Sequence, residues 1–187
     1  MLRRPQGVVS LTVASSPASM VQWVAEANKL RDQLPPEVQQ TLLRHEAAGT
    51  YDDPEYDAAM HVFYDRLVCR VVPNPDYVQR SFAKLAAAPE VYHTMNGPSE
   101  FHVVGTLKEW DIVDRLGEID APTLVTSGRF DEATPEIAGT VHRGIPGSEW
   151  VLFEESSHTP HAEEPERYLE VVADFLDRTE RRALAVG

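Results

Sequence analysis

The sequence predicts an α/β protein with a small parallel sheet and a large helical insertion. After residue 120, segments typical of a strand, a helix, a strand and a helix follow in turn. This order implies parallel strands joined by right-handed crossovers. A further strand is predicted near the N-terminus, and the residues between it and residue 110 have apolar side chains at helical spacing. The predicted strands are short, mainly apolar runs, as expected of strands buried on both faces, at residues 7–14, 121–128 and 149–153.

The insertion is predicted to contain four helices. In residues 54–67, apolar side chains recur at three- and four-residue steps and form one face. Asp53-Pro54 and Asn74-Pro75 each place a capping side chain before a proline at the first helical position. The other predicted helices cover residues 21–33, 37–48 and 76–87.

The chain is therefore divided into a core, residues 1–17 and 111–187, and a helical domain, residues 18–110. Helices of the core are predicted to begin at Pro135 and Pro165. About three parallel strands make a small sheet for this fold class, and the first strand would expose an edge. We expect the chain to be the back half of a larger fold, with poor solubility or self-association through that edge.

The 187 residues carry a formal net charge of -13. Nucleic acid and anionic membrane surfaces need basic patches, so this charge argues against both as partners. An acidic surface suits an amine-bearing ligand, although most acidic surfaces only keep a protein soluble. No apolar segment has the length of a membrane span, and we expect no signal peptide. The one cysteine, Cys69, excludes an internal disulfide and indicates a buried thiol in a cytoplasmic protein.

An acid and a histidine follow two successive predicted strands. Asp131 comes after the strand at 121–128, and His158 comes after the strand at 149–153. Because the carboxyl ends of parallel strands meet at one edge of a sheet, we expect these side chains to lie close together. An Asp there orients the imidazole and stabilises the imidazolium, as in a Ser-His-Asp triad. The alternative is that Asp131 caps the next helix and His158 is an ordinary loop histidine.

Two glutamates are further candidates. Glu132 directly follows Asp131, and we expect the adjacent side chains to point in different directions, one to the histidine and one to a substrate. The alternative for Glu132 is a solvated acidic loop. Glu100 follows a tight turn near the end of the helical domain and, on its own, is typical of a surface residue.

A nucleophile is missing from the sequence. No Gly-x-Ser-x-Gly elbow occurs, and the serines near strand ends lack the glycine-flanked turn that exposes a nucleophile. His161, three residues after His158, has no supporting carboxylate in a metal-binding spacing, so we expect no metal and no cofactor. The serines considered are Ser15, Ser16, Ser19, Ser127, Ser156 and Ser157.

Four motifs carry a family resemblance. The chain resembles the proline iminopeptidases, or prolyl aminopeptidases, which are serine peptidases with an α/β-hydrolase fold. The resemblance covers essentially the whole chain, and implies a partial α/β-hydrolase fold with a helical cap domain at residues 18–110. The motifs are Met-Asn-Gly-Pro-Ser-Glu-Phe at 95–101, Gly-Thr-Leu-Lys-Glu-Trp-Asp at 105–111, Gly-Arg-Phe-Asp-Glu-Ala-Thr-Pro at 128–135 and Ser-Ser-His at 156–158.

The resemblance implies an exopeptidase that releases N-terminal proline from peptides. His158 and Asp131 match the catalytic base and its orienting acid. Glu100 and Glu132 match two glutamates that bind the free amino terminus of the substrate. The serine elbow and oxyanion-hole segment of the family would precede Met1, so we expect this chain alone to be inactive.

Two other functions stay open from the sequence. One is a non-catalytic module that binds peptide amino termini or a partner protein. The other is a different α/β-hydrolase, such as an esterase or an epoxide hydrolase, which would share the acid and histidine loops.

Overall fold

The structure, a computed structural model, describes residues 1–3 and 5–186, with side chains to residue 185. It divides into two compact units, which we call the sheet unit, Met1–Ala18 with Ile112–Gly187, and the helical unit, Ser19–Asp111. The elements in chain order are β1 (Leu11–Ala14), α1 (Met20–Arg31), α2 (Pro36–Ala48), α3 (Pro54–Leu67), α4 (Asp76–Ala87), α5 (Glu90–Met95), a 3-10 helix (Val113–Glu118), β2 (Thr123–Gly128), α6 (Pro135–Gly144), β3 (Glu149–Phe153), α7 (Pro160–Glu163) and α8 (Pro165–Val186).

The described residues contain one parallel sheet, with strand order β1-β2-β3. The predicted parallel arrangement is therefore confirmed. All six residues of β2 are buried, which agrees with their continuous apolar and small character. The prediction that the first strand begins at residue 7 is wrong: pairing starts where Leu11 meets Thr123, and Val8 and Val9 are about two-fifths exposed. Residues 7–10 have no β2 residue opposite them, so their β-branched side chains do not make a strand.

The apolar core of the sheet unit lies between the sheet and α6. Its buried side chains include Leu116, Val125, Val141 and Ile145. The long helix α8 buries Phe175 and leaves Leu169 67% exposed. In an α-helix Leu169 and Phe175 are six residues apart and point about 120° away from each other, so they cannot share one narrow face.

The helical unit is built around an aromatic cluster. Tyr56, Phe63 and Phe101 are each at most 1% exposed, and the rings of Phe63 and Phe101 lie 4.7 Å apart. The predicted cap of α3 is confirmed, because Asp53 accepts a hydrogen bond from the backbone N–H of Glu55 at 2.8 Å. The predicted cap of α4 is wrong: Asn74 donates to the carbonyl of Val71, because Pro75 occupies the capping position one residue later.

No helix among the described residues is long and apolar enough to cross a membrane.

Candidate active site

The loops that carry the predicted acid and histidine lie side by side in the sheet unit. They leave the carboxyl ends of β2 and β3, where Gly128 is paired with Phe153. The backbone N–H of Arg129 donates to the carbonyl of Phe153 at 2.8 Å, and that of Phe130 donates to the carbonyl of Ser156 at 3.0 Å. These two hydrogen bonds join one loop to the other beyond the end of the sheet.

Gly128 allows this close approach of the two loops. A Cβ atom at this position would lie 2.1 Å from the carbonyl oxygen of Ser157 and 2.3 Å from that of Ser156. Both contacts are with backbone, which cannot rotate away as the end of a side chain can. Glycine is therefore required where β2 ends against the segment between β3 and α7, residues 154–159, which we call the histidine loop.

His158 is bonded to Asp131 through its Nδ1 atom, at 2.9 Å from Oδ1. The Asp131 side chain is fully buried, whereas that of His158 is 28% exposed. An ionised carboxylate only accepts hydrogen bonds, so Nδ1 carries the proton that is donated to Asp131. In neutral His158 this tautomer leaves Nε2 able to accept a proton, which is the arrangement that a general base needs.

The Asp131 carboxylate is held by three other donors. Oδ1 also accepts from the backbone N–H of Ala133 at 2.7 Å. Oδ2 accepts from the hydroxyl of Ser15 at 2.7 Å and from the backbone N–H of Gly128 at 3.2 Å. Four donors around a buried carboxylate compensate for its removal from water and fix its orientation.

Glu132 lies close to the same histidine. It is 1% exposed, and its Oε1 atom is 3.8 Å from Nδ1 of His158. The alternative of a solvated acidic loop is therefore wrong. Only Asp131 lies within hydrogen-bonding distance of this nitrogen, at 2.9 Å, and the expectation that Glu132 points to a substrate stays a prediction. This edge of the sheet therefore holds two buried carboxyl groups beside one imidazole.

Two glutamates hold the histidine loop: Glu163, the last residue of α7, and Glu164, the residue after it. The hydroxyl of Ser157 donates to Glu163 at 2.6 Å, and the hydroxyl of Ser156 donates to Glu164 at 2.5 Å. Glu164 also accepts from the backbone N–H of Glu155. The sequence marks these serines only as possible nucleophiles, and Glu163 and Glu164 belong to no motif in it. The available signal was the short spacing between two serines and two glutamates around a helix start.

His161 lies near the histidine of the pair. Its ring makes an edge contact with Tyr168, with centroids 5.9 Å apart. Partial removal from water and the nearby charge of His158 lower the pKa of His161, against a smaller opposing effect of Glu163. His161 is therefore neutral over a wider pH range than a histidine with an unshifted pKa.

Glu100 lies in the helical unit, half-buried, after the turn at residues 96–99. Asn96 donates from its side chain to the carbonyl of Ser99 at 2.9 Å and closes this turn. Gly97 has a φ of 141°, a backbone conformation that residues other than glycine rarely adopt. A Cβ there would lie 2.4 Å from the carbonyl oxygen of His102. The carbonyl of Glu100 accepts from Nε1 of Trp23 at 2.6 Å. The backbone of Glu100 is thus held by the turn of its own motif and by the side chain of Trp23.

A cavity of about 420 Å³ in the helical unit includes Glu100 in its lining. The other carboxylates of this lining are Asp57 and Asp65, and none of the described residues that line it is a lysine or an arginine. Its aromatic lining residues are Tyr64, Phe82 and Tyr92. Carboxylates beside aromatic rings suit a cation with an apolar body.

One group in the described residues has the spacing of metal ligands. Ligand atoms of His45, Asp53 and Glu55 lie within 4.8 Å of one another. However, Nη2 of Arg44 is 2.6 Å from Glu55, and Asp53 is occupied as the cap of α3. The Arg44 hydrogen bond and charge lower the pKa of Glu55. The cluster is thus accounted for by an ion pair and a helix cap.

Known proteins resemble this chain in sequence and structure. No protein-family model matches it. A curated proline iminopeptidase from Heyndrickxia coagulans is 40% identical over 176 residues, which are 94% of this chain and 61% of that protein. The crystal structure of VinJ has a TM-score of 0.92 at 50% identity, covering 95% of this chain and 60% of that one. The proline iminopeptidase of Mycobacterium smegmatis has a TM-score of 0.86 at 49% identity, covering 97% and 61%.

More distant structures share the fold alone. MGS-M2, an α/β hydrolase from a deep-sea metagenome library, has a TM-score of 0.54 at 14% identity, covering 94% of this chain and 58% of that one. The parallel strands with flanking helices are therefore part of an α/β-hydrolase fold.

Within that class of protein, the chain is a homologue of the proline iminopeptidases and matches the C-terminal portion of these proteins. It spans about three fifths of the length of the curated relatives that it matches.

Proposed function

We propose that this chain provides the acid–base pair and the helical cap of a proline iminopeptidase, a serine exopeptidase that releases N-terminal proline from peptides. The observation that carries the proposal is the 2.9 Å hydrogen bond between His158 and the buried Asp131 at the carboxyl edge of the sheet. The relation to proline iminopeptidases adds the substrate class.

In the proposed reaction, His158 acts through Nε2. It takes the proton of a serine hydroxyl while the serine oxygen attacks the carbonyl carbon of proline. It then gives that proton to the departing amine, and the carbon–nitrogen bond breaks. Water, deprotonated by the same nitrogen, then attacks the carbonyl carbon of the bound proline. The bond between this carbon and the serine oxygen breaks, proline is released, and Nε2 returns the proton to the serine oxygen. Asp131 keeps the ring in the required tautomer and stabilises the imidazolium in each step.

The 187 residues contain no Gly-x-Ser-x-Gly motif that would supply the serine of this reaction. We infer that a larger chain supplies it. Support comes from the free edge of β1, which pairs only with β2 among the described residues. An apolar groove of about 540 Å³ beside this edge, lined in part by Leu11, Val13 and Ile112, also suits further packing.

Glu132 and Glu100 are assigned to the amino terminus of the substrate. Glu132 contributes a buried negative charge beside His158. Glu100 contributes a carboxylate to a cavity whose other ionisable lining residues are two acids, two histidines and two tyrosines. Each carboxylate, in its own unit, attracts a cationic amine but not a blocked amino terminus, which restricts cleavage to the first residue.

The proposal includes a cytoplasmic location. The support is Cys69, which is buried and is the one cysteine of the sequence, so the chain has no internal disulfide.

The test is hydrolysis of prolyl-β-naphthylamide by a chimera. The N-terminal part of the Heyndrickxia coagulans enzyme, up to its matched region, would precede residues 1–187. We expect hydrolysis of the free-amine substrate and none of its N-acetyl form. Glu100→Gln and Glu132→Gln should each lower kcat/KM by about 30-fold, since each removes a charge that pairs with the amine.

Matched controls are Glu90→Gln in the helical unit and Glu166→Gln in the sheet unit, both exposed. These should leave kcat/KM unchanged. A cooperatively folded chimera without any hydrolysis would support the non-catalytic module instead. Full activity in both test variants, with cleavage of simple esters, would support a different α/β-hydrolase.

A further inference from the structure

One residue in the segment that follows each of the three described strands takes part in a single series of hydrogen bonds. Ser15 follows β1, Asp131 follows β2 and His158 follows β3. The hydroxyl of Ser15 donates to Oδ2 of Asp131 at 2.7 Å, and His158 donates to Oδ1 at 2.9 Å. The chain Ser15–Asp131–His158 thus crosses the sheet edge in strand order.

The backbone of Ser15 is unusual. Its φ is 45°, in the left-handed region, where a glycine would be the least strained residue. Its N–H donates to the carbonyl of Thr126 at 2.8 Å, and the residue is 6% exposed. The strain therefore lies at the position whose hydroxyl reaches the buried carboxylate, and strained backbone of this kind is concentrated at functional sites.

The two carboxylate oxygens have different partners. Oδ2 is held by the hydroxyl of Ser15 and the N–H of Gly128, and Oδ1 by the N–H of Ala133 and by His158. Rotation of the carboxylate about its Cβ–Cγ bond would break these contacts together. The Gly128 contact is the longest of the four, at 3.2 Å, so the hydroxyl of Ser15 is the closest partner of Oδ2.

We propose that Ser15 is a positioning residue for Asp131: its hydroxyl holds Oδ2 so that Oδ1 faces His158. It touches no reacting atom and acts through the carboxylate. The consequence for catalysis rests on the proposed function, because only then does the orientation of His158 affect a rate. The hydrogen-bonded geometry itself does not depend on that function.

A purely structural role for Ser15, as the residue that turns the chain after β1, makes a different prediction. Ser15→Gly suits the left-handed backbone better than serine does and removes the hydroxyl together with the Cβ. If the turn were all that mattered, this variant would be at least as good as the original. Ser15→Ala removes the hydroxyl and keeps the Cβ, and Ser16→Ala is the control, because Ser16 is exposed and its hydroxyl donates to the carbonyl of Ala14.

The first measurement is the proton on Nδ1 of His158, by NMR of the 187-residue chain with nitrogen-15 in its histidines. In the original chain we expect a downfield resonance that His158→Gln removes. In Ser15→Gly and Ser15→Ala this proton should exchange with water at least about tenfold faster, because one hydrogen bond to a charged group is lost. Unchanged exchange in Ser15→Gly would overturn the proposal. The Ser16→Ala spectrum should match the original.

The second measurement uses the chimera described above. Ser15→Gly should lower kcat by about tenfold with KM within twofold, since the carboxylate acts mainly in the transition state. An unchanged kcat would contradict the proposal even if the NMR signal were weakened. A chimera inactive without any variant, whose His158 proton still depends on Ser15, would reject the proposed function and keep the positioning role.

Discussion

The two units hold their candidate carboxylates in different ways. In the sheet unit, Asp131 and Glu132 are each 1% exposed, and Asp131 is fixed by backbone N–H groups, a hydroxyl and an imidazole. In the helical unit, Glu100 is half-buried and lines a cavity with aromatic side chains. The first arrangement fixes the orientation of the Asp131 carboxylate toward His158. The second leaves room for a ligand.

The contacts that support these carboxylates also differ between the sheet unit and the helical unit. The loops of the sheet unit are joined by backbone contacts, with Gly128 beneath the carbonyls of Ser156 and Ser157. The helical unit depends on side-chain packing, with Phe63 completely buried and Phe101 against it. Backbone contacts tolerate no added atom, whereas aromatic packing can adjust its rotamers at modest cost. We therefore expect substitutions in the sheet unit to affect rate, and those around the cavity to affect which substrate binds.

The largest effect should come from Asp131→Asn in the chimera. The amide preserves the size of the side chain but can present an N–H to Nδ1 of His158 and so reverse its tautomer. We expect kcat for prolyl-β-naphthylamide to fall by about 10⁴-fold. Steady-state kinetics with an active-site titration of the serine would measure it.

The control for Asp131→Asn is Asp177→Asn, an exposed residue of α8 that pairs only with Arg181 at 3.6 Å among the ion pairs of the described residues. Its kcat should be unchanged. A loss below tenfold in Asp131→Asn would remove the acid–base role of the pair and, with it, the contrast between the two units.

A smaller effect, on stability, should come from Gly128→Ala. The added Cβ meets two carbonyl oxygens at 2.1 and 2.3 Å, so the histidine loop must move away from β2. We expect the free energy of unfolding to fall by about 3 kcal/mol. Gly117→Ala is the matched control, because nothing lies within 4 Å of a Cβ built there. Urea unfolding followed through Trp150, which lies in β3, would compare them. Equal stabilities would show that the loops are not held by this contact.

Much of the sheet unit could be predicted from the sequence. The order of strands and helices after residue 120 implies that neighbouring strands end at one edge, and this alone brings Asp131 and His158 within reach of each other. The extent of β1 could not be predicted, because only the register against Thr123 shows where pairing begins. The 3-10 helix Val113–Glu118 and α5 were missed, since short helices have too few turns to show a period.

The supporting contacts of the site could not be predicted. Ser15 lies 116 residues from Asp131 in sequence, and a serine at a strand end gives no local sign of a distant partner. The contacts of Glu163 and Glu164 with the histidine loop could not be predicted either, because acids near the start of a helix are usually explained by the helix dipole. The roles of Glu100 and Glu132 came from motif resemblance and stay predictions. A periodic pattern cannot distinguish a buried, functional carboxylate from a solvated one.

The smallest effects should distinguish the two units by pH. Burial raises the pKa of Tyr56 in the helical unit to about 12, so between pH 10 and 12 the unfolded state loses a proton that the folded state keeps. Stability then falls as pH rises through that window, by at most about 1.4 kcal/mol per pH unit. Tyr56→Phe has no such group, and urea unfolding from pH 9 to 12 should show a flatter dependence in this variant. If both proteins lost stability in parallel, the tyrosine would not be the cause.

In the sheet unit the sign is opposite. The pKa of His161 is lowered from 6.5, so as pH falls below 6.5 the unfolded state takes up a proton before the folded state does. Stability that is present above pH 6.5 is lost as pH falls through the lower folded value. Because His158 contributes to this lowering through its charge, His158→Gln should move the NMR titration of His161 back toward 6.5. His142→Gln is the control in the same unit, since the ring of His142 contacts Trp150 and Ser148 instead. If His158→Gln left the pKa of His161 unchanged, the charge of His158 would not act on His161. In that case the concentrated electrostatics that distinguish the sheet unit would be restricted to Asp131, Glu132 and His158.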